Sequence, residues 1–255
     1  MIDTHSHIYS DDFDADRAEV IRRAQEIGVK HIILPNCDSG TLPQMLALEA
    51  AYPGYCHAAI GLHPTSVKED YIKELALIKL ELERRDYLAI GEIGIDLYWD
   101  KTLLAEQTIA FKQQVEWALE YHLPVIIHVR DSFRESMNAL LPYKNSGLKG
   151  VFHSFTGTLE EALEIIAFGR FRLGINGIVT FKNSGLDKIV KEIGIENLIL
   201  ETDSPYLAPT PFRGKRNESS YVAIINSKVA EIFNIEPEAA AAVTYANSLE
   251  LFRLS

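Results

Sequence analysis

His5 and His7 stand two residues apart near the start of the chain, with Asp3 two residues before them. In an extended strand, residues two apart point the same way, and two imidazoles side by side can hold one divalent ion. A lone His-x-His pair is common and reads equally well as polar residues at a strand end. Further segments carry the same ligand chemistry: Glu92 and Asp96 in GEIGID, His128 in HVRD, His153 in FHSF, and Glu201 and Asp203 in ETDSP. Glu92 lies inside the apolar run LAIGEIGI. A buried carboxylate is costly unless it is paired or bound to metal. The flanking Gly91 and Gly94 allow a ligand or neighbouring backbone to come close. A carboxylate shared between two ions explains the position of Glu92 better than a structural salt bridge to Arg130. His128 and His153 close the next two strands and form a candidate pair for a second ion, although each alone reads as a core histidine. Asp203 follows LILET and can both ligate the first ion and take a proton from an attacking water. The competing reading is a turn aspartate ahead of Ser204 and Pro205.

Other residues near strand ends have the chemistry of phosphate and base contacts. Arg130 can grip a non-bridging phosphate oxygen or pair with Asp131 or Glu92. His63, in GLHP, can donate to a phosphate or fix the turn before Pro64. Arg213, Lys215 and Arg216 make a short basic loop beside the last strand, a candidate electrostatic guide for a polyanion. Tyr98, Trp99, Tyr206 and Phe212 can stack on bases or pack loops onto the scaffold. Asp96 can hold a liganding histidine as a hydrogen-bond acceptor, with no sequence signal for which one.

Eight short β-rich runs must position these groups: 2–4, 31–35, 55–61, 88–95, 124–129, 150–155, 171–176 and 197–202. Several are continuously apolar, as expected of parallel strands buried on both faces. Helical spacing fills the gaps at Val20, Ala24 and Ile27, at Tyr71, Leu75, Ile78 and Leu82, and at Phe111, Val115, Ala118 and His122. Later helices are predicted over 132–141, 159–168, 185–193, 219–233 and 237–252. Eight strands each followed by a helix predict an α/β fold, a (β/α)8 TIM barrel with its site at the carboxyl ends of the strands. An open doubly wound sheet is the competitor. No Gly-x-Gly-x-x-Gly follows the first strand and no Walker-type loop occurs, which speaks against a nucleotide-binding sheet.

The length of 255 residues suits one such barrel, and no linker or composition break divides 1–255. No signal-peptide layout or charge-free apolar run of membrane length is apparent. Two cysteines, Cys37 and Cys56, are too few for a disulfide framework and fit the cytoplasm. The net charge of −11 argues against a protein that coats nucleic acid, but two bound divalent ions would reverse the local sign inside the site. With no apolar patch legible, a monomer is the default.

DTHSH, GLHP, GEIGID, HVRD, FHSFTG, ETDSPYLAP and RGKRNE, in this order, resemble the TatD-type metal-dependent deoxyribonucleases among the amidohydrolase-like barrels. The resemblance runs to about Asn217 and continues toward the end. It implies one ion on His5, His7 and Asp203, a second on His128 and His153, and Glu92 bridging them. It also implies hydrolysis of DNA phosphodiesters, with 3′-to-5′ trimming of single strands. Ser154 and Thr156 stand where the family often has Cys and Ser, and Ser219 where it has Pro; none is a proposed ligand. The expected chemistry is an in-line attack by a hydroxide held between two ions, with Asp203 as base. Magnesium, manganese, zinc and nickel are all candidates. A metal-dependent esterase, amidase or lactonase acting on a small molecule is the alternative, mildly favoured by the acidic charge. A non-enzymatic metal-binding module fits poorly, because ligands from so many strand ends exceed what a structural ion needs.

Overall fold

The eight apolar runs form eight strands. The computed structural model describes residues 1–254. Its strands are β1 (Ile2–Asp3), β2 (His31–Pro35), β3 (Cys56–Ile60), β4 (Ala89–Asp96), β5 (Val125–Arg130), β6 (Lys149–Phe152), β7 (Arg170–Ile175) and β8 (Leu198–Leu200). They pair in chain order in one sheet, every pair parallel. The seam between β8 and β1 combines backbone and side-chain hydrogen bonds. Thr4 donates from both its N–H and its hydroxyl to the Leu200 carbonyl (3.1 and 3.0 Å). The buried Asp3 carboxylate accepts from the N–H and hydroxyl of Thr202 (2.8 and 2.7 Å), and Ser6 bridges Ser204. A (β/α)8 barrel results, its edges joined rather than bare.

Helices α1 (Arg17–Glu26), α2 (Leu42–Ala51), α3 (Tyr71–Leu82), α4 (Leu104–Glu120), α5 (Phe133–Leu140), α6 (Leu159–Phe168), α7 (Leu186–Ile193), α8 (Val222–Phe233) and α9 (Pro237–Phe252) surround it. The sequence reading assigned no helix where α2 lies. Its apolar residues are spread around the helix, with Leu42, Met45 and Leu48 buried but Ala47 and Ala50 exposed, so no single stripe announces it. None of the helices is long and apolar enough to cross a membrane.

Two layers of core follow from strand alternation. Ile33, Ala59, Ala89, Ile126, Val151 and Ile199 pack together with Leu251 and Phe252 from the end of α9. Their neighbours on the same strands, among them Ile32, Ile60, Ile90, Ile127 and Leu200, pack with the helices. The first set fills the barrel interior, and α9 plugs its amino-terminal end. There Lys149 Nζ donates to the Leu251 carbonyl (2.7 Å).

Near that same end, His31 Nδ1 and His57 Nε2 lie 2.9 Å apart. Burial lowers the pKa of both rings, and for His57 the neighbouring His31 adds to it. A base whose folded pKa lies below its unfolded value favours folding above that unfolded value, near 6.5, and loses this contribution as pH falls. The pair's contribution is therefore expected to fade between pH 7 and 5, so on acidification over that range the unfolding temperature of the chelated His31→Gln, His57→Gln double variant should fall less, or rise more, than that of the unsubstituted chelated protein. Equal slopes in a pH series of unfolding curves would show that the pair does not carry the effect.

Candidate metal centre

The alternation that buries apolar residues inside the barrel delivers polar ones at its mouth. Two residues beyond Ile126 comes His128, and beyond Val151 comes His153. Beyond Ile199 come Glu201 and then Asp203; beyond Ala59 come Gly61 and then His63. Asp3 instead pairs with Ile32 of the helix-facing set and its carboxylate meets Thr202. Regular pairing breaks before Ser6, which bridges Ser204, and His5 and His7 turn into the barrel beside Glu92. Glu92 also departs from this rule. With Ala89 inside and Ile90 outside, strict alternation would turn Glu92 outward. Pairing runs Ile90↔Val125 and then Ile93↔Ile127, three steps on β4 against two on β5. The extra residue is a bulge, and it re-aims Glu92 into the barrel. Two glycines permit it. A Cβ on Gly91 would sit 2.5 Å from Ile126 Cβ, and one on Gly94, at φ +145°, 2.0 Å from the His128 carbonyl oxygen.

Glu92 is 2% exposed, and its two oxygens face different clusters. Oε2 lies 3.1 Å from His5 Nε2 and 3.6 Å from His7 Nε2. Oε1 lies 2.8 Å from His128 Nδ1, 2.9 Å from His153 Nε2 and 3.2 Å from His63 Nε2. Asp203 Oδ1 completes the first cluster at 3.7 Å from His5 Nε2 and 3.8 Å from His7 Nε2. Three overlapping groups have ligand atoms close enough to share an ion: His5–His7–Asp203, His5–Glu92–His153 and His63–Glu92–His128. Ligands about 2.1 Å from a cation stand roughly 3–3.4 Å from one another, so the spacing fits.

Hydrogen bonds behind the rings decide which nitrogen is free. The Tyr9 hydroxyl donates to the Pro35 carbonyl (2.6 Å) and so accepts from His7 Nδ1 (3.0 Å), leaving the His7 Nε2 lone pair toward the cluster. His128 Nε2 donates to Asp96 Oδ2 (2.9 Å), leaving Nδ1 toward Glu92. His153 turns Nδ1 toward buried Glu201 at ion-pair distance (3.4 Å), without a hydrogen bond, and so faces the site with Nε2. His63 is the opposite case. Its Nδ1 accepts from the Thr65 backbone N–H (3.1 Å), so the ring proton sits on Nε2 and points into the site. Three rings thus present lone pairs and one presents a donor.

The electrostatics suit a cation. Burial pushes Asp203 up to about 7, and the charges of Glu92 and Glu201 add to this against the pull of His153. Burial lowers His7 to about 4 and lowers His5 and His63 as well. Glu92 is held well below the usual carboxylate range, because the rings of His153, His63, His5 and His128 outweigh its burial. Without a cation, His128 and His153 are shifted toward their protonated forms beside this carboxylate: burial opposes the shift, but Glu92 with Asp96 or Glu201 prevails. A divalent ion supplies the same charge and frees both nitrogens as ligands.

The remaining sequence-selected residues divide. Arg130 forms no ion pair among the described residues; its guanidinium lies 3.8 Å from the Tyr98 ring centre. Arg216 donates to Asp16 Oδ2 (2.6 Å) and the Asp12 carbonyl (2.7 Å), which ties it to the entrance of α1. Arg213 lies over Phe181 (4.1 Å) and Lys215 near Phe212 (5.8 Å), both exposed and without ion-pair partners among the described residues. Sequence reasoning assigned no role to Tyr9 or Thr65 and named Glu201 only among the ligand-type residues at strand ends; the three hold His7, His63 and His153 from behind. Tyr9 and Glu201 had a signal, since both extend a period of two, His5–His7–Tyr9 and Glu201–Asp203.

Imidazoles and carboxylates gathered from several strand ends around one buried glutamate define a metal-dependent hydrolase of the (β/α)8 class. The family described as TatD related DNase matches residues 2–253, and the chain belongs to it. It is 38% identical over 256 residues to YabD of Bacillus subtilis, named an uncharacterized metal-dependent hydrolase, covering 100% of both chains. It is 33% identical over 260 residues to the 3′-5′ ssDNA/RNA exonuclease TatD of Erwinia billingiae, covering 100% of this chain and 99% of that one. Among solved structures, YJJV, a TatD homologue from Escherichia coli K12, superposes with a TM-score of 0.92 at 29% identity, covering 100% of this chain and 98% of that one.

Proposed function

We propose that the chain is an exonuclease that trims single-stranded DNA from its 3′ end with two divalent cations. The observation that carries this reading is the split environment of Glu92, one oxygen toward His5 and His7, the other toward His128 and His153. His5, His7 and Asp203 would hold one cation, His128 and His153 the other, and Glu92 both. Bound cations would supply Lewis-acid stabilisation of phosphate charge and an acidified water. Magnesium, manganese, zinc and nickel all suit a mixed imidazole–carboxylate set.

The protein's own groups do the rest. Asp203 accepts the proton of the attacking water. His63 Nε2–H donates to a non-bridging oxygen, and its ring is held for that by Thr65. Arg130, free of carboxylate partners, meets the phosphate on the outer side. Arg213 and Lys215 add an attractive field for a polyanion, while Arg216 serves mainly to anchor the loop through Asp16. A monomeric cytoplasmic enzyme agrees with the free thiols of Cys37 and Cys56. A small ester, amide or lactone substrate is not favoured, since exonuclease-named relatives match this chain along its whole length.

The test is to strip the protein with chelator, restore each metal singly, and assay end-labelled single- and double-stranded DNA beside a panel of esters and amides. Metal-dependent release of nucleotides from the 3′ end is expected. Hydrolysis of the small esters alone, or one cation per chain at saturation, would overturn the reading.

His63→Ala tests the donor role. Loss of one hydrogen bond to a charged group, about 1.5–3 kcal/mol, should lower kcat/KM about 10–100-fold. Cation content should not change, because the ring offers a proton and no lone pair. Loss of a cation in elemental analysis would make His63 a ligand instead.

A further inference from the structure

One carboxylate ties the metal cluster to an exposed aromatic loop. Asp96 Oδ2 holds the His128 ring (2.9 Å), while Oδ1 accepts from the backbone N–H groups of Tyr98 (2.9 Å) and Trp99 (3.4 Å). The loop therefore starts in fixed register with a ligand imidazole. Its two rings are open to solvent, Tyr98 at 52% and Trp99 at 70% exposure, and they meet edge to face at 4.9 Å. The Arg130 guanidinium, two residues beyond His128, lies 3.8 Å from the Tyr98 ring centre and 5.5 Å from that of Trp99. Its charge has no carboxylate partner among the described residues. An indole left this open at a site mouth, beside an unneutralised guanidinium, has the chemistry of a nucleotide: a flat aromatic face and an adjacent anion.

We propose that Trp99, steadied by Tyr98 and Arg130, is a stacking subsite for the base next to the scissile phosphate, and that it selects unpaired strands. The proposal rests on the nuclease reading above and assigns its strand preference to named residues. Inside a duplex both faces of a base are covered by its neighbours and a terminal base exposes only its outer face, so the indole has full access only to a base that has left the helix. Arg130 holds the phosphate beside that base, and Asp96 sets the distance from this subsite to His128. Stacking tolerates any base, because every base has a π-face, so the subsite discriminates strandedness and not sequence.

The experiment is a two-way cycle on the full chain. Wild type and Trp99→Ala are assayed on a single-stranded oligothymidylate and on versions with an abasic residue at the last or penultimate 3′ position. Trp99→Ala and removal of the stacked base should each raise KM about tenfold, in line with base–aromatic stacking. Together they should raise it about tenfold and not a hundredfold, because both delete one contact. Trp99→Phe should recover most of the loss, and the preference for single strand over duplex should shrink in Trp99→Ala. Fluorescence gives a readout without turnover. The chain has two tryptophans, and Trp117 is only 6% exposed, so quenching by oligothymidylate bound to chelated protein reports Trp99. Cleavage of the strand with KM unchanged in Trp99→Ala, or losses that multiply, overturns the subsite and leaves the nuclease reading standing. A wild type that neither binds nor cleaves the strand overturns both.

Discussion

Asp203→Asn is expected to keep the barrel folded and, at cation concentrations high enough to offset the weaker amide ligand, to lower turnover by about 10²–10⁴-fold, the range of general-base catalysis. The fold should survive for local reasons. Asp203 sits at φ 58°, in the left-handed region that asparagine tolerates better than most residues. Its N–H donates to the His5 carbonyl (2.9 Å) and its carbonyl accepts from Tyr206 (2.8 Å). Neither bond involves the carboxylate, and the amide has nearly the same shape. What changes is proton affinity. In the cation-free site burial pushes this carboxyl up to about 7; a cation bound beside it would lower that, and the carboxylate can then accept the proton of the attacking water. An amide cannot accept that proton. The acid limb of the rate–pH profile should therefore disappear along with the rate. Near-normal turnover in a folded, cation-loaded Asp203→Asn enzyme would remove Asp203 from the role of base.

Glu92→Gln should be more damaging still. Its carboxylate faces both clusters at 2.8–3.6 Å, so the substitution withdraws negative charge from two cation sites at once. Lewis-acid stabilisation is worth several kcal/mol of transition-state energy. At 1.36 kcal/mol per tenfold, losing it costs about 10³–10⁵-fold in rate. Cation content should drop below two per chain under the proposed stoichiometry, and added metal should not restore activity at concentrations that saturate the wild type. Glutamine preserves the side-chain volume among the five rings, so thermal unfolding of the chelated protein should stay cooperative. A variant that still binds two cations with wild-type affinity would mean that Glu92 does not bridge.

These two residues were not equally legible. Asp203 and Glu201 announce themselves by a period of two past an apolar run, and His5 and His7 by their own His-x-His spacing. Alternation is a local property of extended backbone, and the chain cannot avoid it. Glu92 was picked out by cost, a carboxylate in an apolar strand between glycines, but alternation alone would have turned it away from the site. The bulge that reverses it exists only in the pairing of β4 with β5.

The sequence by itself determined the eight strands in order, the barrel they close, and the imidazoles and carboxylates at their ends, because hydrophobic period and residue type are written along one chain. It did not mark α2, whose apolar residues form no stripe. Tertiary structure alone decided which atom of each side chain faces the centre. Tyr9, Asp96, Glu201 and Thr65 choose the free nitrogen of four rings. Asp16 draws Arg216 away, and Tyr98 leaves Arg130 without a carboxylate. Each of these choices is a hydrogen bond, ion pair or ring contact whose geometry is fixed only when the strands and loops have packed, and a linear pattern carries no record of it.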